Sequence, residues 1–217
     1  MKYKAIIWDM DGTILDTLSD LHDSVNHMLV SNGYGERTFD ETRRSVGNGI
    51  RRLVALSVPE GENNPDFERL FGEFREYYSA HSRVKTLPYE GIGETLDALK
   101  KLGVKMAVVS NKIDEAVKEL AREFYPQMDF ALGEKEGVPI KPAPDMVETA
   151  LSFLGTEKCE AVYIGDSEVD VLTARNSGLD CISVLWGFRT KEELIENGAS
   201  VFAEKPQDII EIIGGRG

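Results

Sequence analysis

Hydrophobic positions along the chain fall into two textures. From about Glu90 onward, short β-branched runs alternate with stretches whose apolar residues recur every three or four positions. That alternation is the pattern of a parallel sheet with helices on its faces. The runs predict strands over 104–109, 130–132, 161–164, 181–185 and 201–203. Between them, Ile92, Leu96 and Leu99 predict a helix that stops at Gly103. Val117, Leu120, Ala121 and Phe124 share one helical face, and Met146, Val147, Ala150, Leu151 and Leu154 share another. A further helix runs from about Val169 to a C-cap at Gly178, and Ile209, Ile210, Ile212 and Ile213 predict a last one. A strand over 4–8 belongs with this sheet but stands apart from it in sequence.

The separating stretch, about 16–87, has no strand pattern. Thr17-x-x-Asp20 reads as a capping box opening a helix with Leu18, Leu21, Val25, Met28 and Leu29 on one face, and Thr38-x-x-Glu41 reads as a second box. Phe67, Leu70, Phe71, Phe74 and Tyr78 recur at helical spacing and read as core rather than as an aromatic ligand box. The predicted fold is therefore α/β: a Rossmann-like parallel-sheet core over 1–16 and 88–217, with a helical cap domain over 17–87 inserted after the first strand. The hinges fall at 16–18 and 87–91, the second marked by Pro88 and Gly91.

Composition narrows the function classes. Lys and Arg number 25 against 38 Asp and Glu, a formal charge of -13. An acid excess of that size argues against nucleic acid as a partner, because a duplex surface needs a basic stripe. No apolar run approaches the ~20 residues of a membrane span, and the N-terminus already reads as a strand rather than a leader, so a cytoplasmic location without membrane association is expected. Cys159 and Cys181 form no Cys-x-x-Cys pair and read as two reduced, buried thiols. His22, His27 and His81 all lie in or beside the insert and read as surface or structural groups, which leaves no histidine base for a serine or cysteine hydrolase. No Walker A sequence occurs, and Gly91-Ile92-Gly93 starts a helix rather than a nucleotide loop.

Polar residues gather where three strands end. Ala5-Ile6-Ile7-Trp8 runs into Asp9-Met10-Asp11-Gly12-Thr13, Met106-Ala107-Val108-Val109 into Ser110-Asn111-Lys112, and Val162-Tyr163-Ile164-Gly165 into Asp166-Ser167-Glu168-Val169-Asp170. In open parallel sheets ligands bind beyond the carboxyl ends of the strands, so these three ends are expected to share one crevice. Carboxylates gathered at one edge repel unless a cation neutralises them, and an all-oxygen set suits Mg²⁺. An aspartate beside that ion can attack a phosphoryl group. Lys141, in Ile140-Lys141-Pro142-Ala143-Pro144, supplies a candidate fixed positive charge.

With those residues in place, the chain resembles the haloacid dehalogenase-like hydrolases. Asp9-Met10-Asp11-Gly12-Thr13-Ile14-Leu15-Asp16-Thr17 is similar to that family's first motif, Ser110-Asn111-Lys112 to its second, Lys141-Pro142 to its third, and Gly165-Asp166-Ser167-x-x-Asp170 to its fourth. The insert resembles the family's C1-type cap. The resemblance implies that Asp9 is the nucleophile and that Asp11 acts as general acid and then general base. It implies Mg²⁺ held by the Asp9 carboxylate, the Asp11 carbonyl and Asp166, with Asp170 direct or one shell out. Ser110 and neighbouring amides, with Thr13, Asn111 and Lys112, would meet the phosphoryl group, and Lys141 would offset its charge. Cap closure would exclude water during transfer and admit it afterwards.

Within the family the likeness is to phosphoglycolate phosphatase-type enzymes, through Val46-Gly47-Asn48-Gly49, Ile50-Arg51-Arg52-Leu53 and Val184-Leu185-Trp186-Gly187-Phe188. It implies a small phosphorylated metabolite as substrate, phosphoglycolate first, with Gly47, Asn48 and Gly49 near it and Arg51 or Arg52 meeting its carboxylate. Pyrophosphate, sugar phosphates and nucleoside monophosphates stay open. β-Phosphoglucomutases share the catalytic motifs but typically carry a cap histidine where this chain has Leu21. A non-enzymatic alternative is a receiver-like module that keeps phosphate on aspartate, against which Asp11 and a large cap both speak.

Overall fold

The computed structural model describes residues 2–215. The chain divides into two compact units, one formed by the stretch up to Ile14 together with the chain from Pro88 on, the other by Leu15–Leu87.

In the first unit, Ala5–Trp8 (β1) is buried at all four positions, which explains its unbroken apolar run. It lies between Lys105–Ile113 (β4) and Ala161–Gly165 (β6), with Phe130–Glu134 (β5) beyond β4 and Asp180–Val184 (β7) then Phe202–Ala203 (β8) beyond β6. The resulting order β5-β4-β1-β6-β7-β8 is that of a six-stranded α/β sheet, and its pairs are parallel. Trp8 sits opposite Val108 on one side and Ile164 on the other, so the three polar strand ends reach the same level where strand order reverses. Asp145–Leu154 (α5) packs on β1, β4 and β5, and Glu168–Ser177 (α6) on β6 and β7. Ile7, Val109, Met146, Val147, Ala150, Tyr163 and Ala174 form part of the core beneath them.

Several details depart from the sequence reading. β4 continues to Ile113, so Ser110, Asn111 and Lys112 lie within the strand. The β4–β5 register shifts between Val109 and Ile113, after which Ile113 pairs with Glu134 and extends the strand. Cys159 is exposed, because it falls in the surface turn Lys158–Glu160 ahead of β6, while Cys181 is half-buried. Both thiols are free.

The second unit is helical: Leu18–Ser31 (α1), Phe39–Ser45 (α2), Gly49–Ser57 (α3) and Phe67–His81 (α4). Leu21, Val25, Met28 and Leu29 of α1 and Phe67, Leu70, Phe74 and Tyr78 of α4 are buried, and the two helices pack on each other. Phe71 is only half-buried, with Arg51 and Arg75 over its ring. Strand structure does occur where the chain enters and leaves the insert, as Leu15–Asp16 (β2) paired with Leu87–Pro88 (β3).

The Thr38–Glu41 capping box forms, with Thr38 N donating to Glu41 Oε2 at 2.7 Å and Glu41 N to Thr38 Oγ1 at 3.2 Å. The Thr17–Asp20 box does not. Asp20 instead turns its buried carboxylate to Lys85 N at 2.9 Å, Thr86 N at 2.9 Å and Thr86 Oγ1 at 2.8 Å. Three donors 65 or more residues away outcompete one local amide. His22 meets Thr42 Oγ1 at 3.1 Å, and His27 and His81 stack on either face of Tyr77. No helix among the described residues is long and apolar enough to cross a membrane.

Candidate active site

Asp9 follows β1 directly, and its Oδ1 accepts from Lys141 Nζ at 2.6 Å. The same ammonium donates to Asp170 Oδ1 at 2.9 Å and to the hydroxyl of Tyr163 at 3.0 Å. Asp166, one residue past β6, accepts from Thr13 Oγ1 at 3.1 Å and from Phe188 N at 2.7 Å. Asp9, Asp166 and Asp170 each bring a carboxylate oxygen within 4.8 Å of the others, and all three are buried. Asp170 is the most committed: besides Lys141 and Tyr163 it accepts from Asp166 N, Ser167 N and Ser167 Oγ.

The donor set fits a hard divalent cation. Three buried carboxylates gather around the Lys141 ammonium, and the electrostatics reflect their crowding. Burial, then the neighbouring Asp170, pushes the Asp9 carboxyl well above the usual aspartate range, while Lys141 pulls the other way. Burial and Asp170 likewise push Asp166 up to about 7, against the Phe188 amide, Arg189 and Thr13. Burial opposes the charge on Lys141, yet Asp170 and Asp9 outweigh it and raise its ammonium well above the ordinary lysine value. Among the described residues, Asp9, Asp166 and Asp170 thus form a set of side chains suited to a hard divalent cation.

These directions carry a pH prediction. Asp9 and Asp166 bind a proton more tightly folded than unfolded, so metal-free protein loses stability as pH rises above the ordinary aspartate range near 4, through about 7 in the case of Asp166. A divalent cation held by the three carboxylates would remove the repulsion, so added Mg²⁺ is expected to stabilise more at pH 8 than at pH 5. Thermal melts with EDTA or Mg²⁺ at the two pH values read this out. A metal-induced rise in Tm that is larger at pH 5 contradicts it.

Asp11 stands apart from the cluster. Its Oδ1 accepts from Lys112 Nζ at 2.8 Å. Ser110 is buried, and its Oγ accepts from Lys112 N at 3.2 Å. Asn111, expected beside substrate, is engaged within the chain: its amide donates to Lys141 O at 2.9 Å and accepts from Lys141 N at 2.8 Å. It therefore ties the second motif to the third.

Two glycines let the backbone close around Asp166. Gly12 has φ +87°, and a Cβ there would lie 2.5 Å from Asp166 Oδ2. A Cβ on Gly187 would lie 2.2 Å from Asp166 Cβ and 2.5 Å from Gly12 O. The 184–188 segment thus lies against a candidate metal ligand, and Trp186 Nε1 donates to Thr13 O at 2.9 Å.

The remaining predicted residues belong to the second unit. Gly47 and Gly49 have positive φ, and Asn48 occupies the N-cap position of α3 without a side-chain capping bond. Arg51 is engaged with Glu68 at 2.6 Å and Glu62 at 3.5 Å and lies over the Phe67 ring, whereas Arg52 is simply exposed.

Tyr163 and the Arg189–Glu168 pair, bonded at 2.7 Å, escaped the sequence reading. A lone tyrosine in an aliphatic strand is the available signal, since a buried hydroxyl needs a partner. Arg189 carried no comparable signal.

Residues 6–184 match the model of the haloacid dehalogenase-like hydrolase family. An N-acetylmuramic acid 6-phosphate phosphatase of Pseudomonas aeruginosa is 31% identical over 216 residues, 98% of this chain and 96% of that protein. A phosphoglycolate phosphatase of Agrobacterium fabrum is 33% identical over 192 residues, 84% of this chain and 80% of its own. The crystal structure of a provisionally assigned phosphoglycolate phosphatase from Lactobacillus delbrueckii subsp. bulgaricus superposes with TM-score 0.93 at 39% identity, covering 98% of this chain and 99% of that one. With the six-stranded parallel sheet, the inserted helices and a family match running from β1 through β7, the chain belongs to the haloacid dehalogenase-like hydrolases.

Proposed function

We propose that the protein is a Mg²⁺-dependent phosphatase for small phosphate monoesters, working through an aspartyl-phosphate on Asp9. One observation carries the reading: Asp9 lies on Lys141 beside a buried carboxylate cluster, while a second carboxylate, Asp11, is held separately on Lys112. Phosphoryl transfer through a carboxylate needs one group to attack and another to move protons.

In the first half-reaction an Asp9 oxygen attacks phosphorus and the P–O ester bond breaks. The bonding pair goes to the leaving oxygen, which takes a proton from the Asp11 carboxyl group. In the second, the Asp11 carboxylate takes a proton from water as its oxygen attacks phosphorus, and the Asp9–phosphate bond breaks. Alcohol and inorganic phosphate leave. Ser110 and nearby amides orient the phosphoryl oxygens, and Lys141 holds Asp9 and offsets charge. The Asp11 backbone carbonyl joins Asp9, Asp166 and Asp170 as a candidate ligand. Bound Mg²⁺ supplies further neutralisation of the phosphoryl oxygens.

Phosphoglycolate is the first substrate proposed, supported by the Agrobacterium relative's activity and by the Val46-Gly47-Asn48-Gly49 and Arg51-Arg52 segments. N-acetylmuramic acid 6-phosphate is the second, supported by a relative that is 31% identical across nearly the full length of both chains. Specificity constants across about a hundred phosphorylated metabolites decide between them. We expect phosphoglycolate to rank first, and a sugar acid phosphate preferred at least tenfold would replace it. Absence of Mg²⁺-dependent turnover of p-nitrophenyl phosphate, with a long-lived acyl-phosphate, would replace the enzyme by a signalling module.

A further inference from the structure

Lys112 sits differently from an ordinary phosphate-binding lysine. Its side chain is 3% exposed, against 16% for Asp11, so the carboxylate rather than the ammonium is the member of the pair open to solvent. The backbone that carries Lys112 is held by its neighbours. Its N–H donates to Ser110 Oγ, the preceding Asn111 is bonded twice to Lys141, and a Cβ on Gly133 would lie 2.5 Å from Lys112 O. A lysine ordinarily disperses its charge over many rotamers; this one starts from a strand paired within the sheet and brings Nζ to 2.8 Å from Asp11 Oδ1.

We infer that Lys112 is a positioning residue for Asp11. Nζ holds Oδ1 at 2.8 Å, so that Oδ2 carries the proton passed to the leaving oxygen and later accepts one from water. The inference rests on the proposed phosphatase reaction and gives Lys112 a part other than contact with substrate. In the first half-reaction a residue acting this way matters in proportion to how much the leaving group needs a proton, whereas the second half-reaction is common to all esters. An alkoxide needs that proton; p-nitrophenolate leaves without it.

The test compares K112M, K112R and D11N on an alkyl phosphate, glycerol phosphate, and on p-nitrophenyl phosphate, all with saturating Mg²⁺. K112M is expected to lower the rate of aspartyl-phosphate formation, read by acid quenching in single turnovers, at least about 100-fold with the alkyl ester and less than about 10-fold with p-nitrophenyl phosphate, with KM little changed on either. K112R is expected to recover part of the alkyl rate. Adding K112M to D11N is expected to cost nothing further on either substrate. A uniform loss on both esters dominated by a raised KM, or a further loss in the D11N background, makes Lys112 a phosphate-binding group and overturns the inference. The double variant removes both charges together, so that comparison stands even where K112M alone folds poorly. Mg²⁺-dependent turnover by the wild-type protein tests the underlying reaction separately: its absence removes both readings, whereas its presence with equal losses removes only this one.

Discussion

Replacing Asp9 by asparagine is expected to reduce turnover more than about 10⁴-fold, the scale on which loss of a nucleophile acts. An amide oxygen of the same shape cannot attack phosphorus and later leave as a carboxylate. No phosphate-sized mass increase should appear on D9N after acid quenching of a reaction mixture, whereas wild type should carry one. Stability should move the other way. Asp9 is held above its ordinary range by burial and by Asp170, so its ionised form is an unfavourable guest in the metal-free fold. D9N removes one of three mutually repelling charges while Lys141 keeps its bond to Asp170. The melting temperature in EDTA should therefore hold or rise, although activity is lost. Such opposite movement distinguishes a functional charge from a structural one. Near-wild-type turnover by D9N would remove Asp9 as the nucleophile.

That the first motif could be read at all follows from where its residues lie. β1 is buried on both faces, so its apolar run ends abruptly, and the polar residues after it stand out. The same contrast marks β6 and made Asp166 and Asp170 visible. Strand order was not legible, because register across a parallel sheet is set by contacts between segments about 100 residues apart, as for Trp8 and Val108. Side-chain commitments were less legible still. Asn111 read as substrate-facing, yet both ends of its amide bind the Lys141 backbone, 30 residues away. Asp20 read as a helix cap, and its carboxylate serves amides at Lys85 and Thr86. In each case a local motif was correct in residue type, and a distant donor or acceptor won the side chain. Composition also changed meaning: part of the acid excess that speaks against nucleic acid is a buried cluster suited to a cation.

Lys141→Met should produce the second large effect, and on two quantities at once. The ammonium contacts two of the three carboxylates of the cluster, Asp9 and Asp170, directly. Its removal leaves buried charge uncompensated, a change that typically costs about 3–5 kcal/mol. In EDTA, denaturant unfolding of K141M should show a loss of that order, and Mg²⁺ should recover part of it by supplying the missing positive charge. Activity at saturating Mg²⁺ should still fall at least about 100-fold, because the metal does not replace a donor aimed at Asp9 Oδ1. The residual rate should also need higher pH. Lys141 pulls the Asp9 carboxyl down, so without it the nucleophile ionises later and the acid limb of kcat/KM moves upward. D9N/K141M separates the two roles: with Asp9 neutral, removing the ammonium should destabilise the protein less than in wild type. Equal destabilisation in both backgrounds would mean that Lys141 acts through Asp170 and Tyr163 alone, and an unmoved pH profile would deny it any hold on the nucleophile.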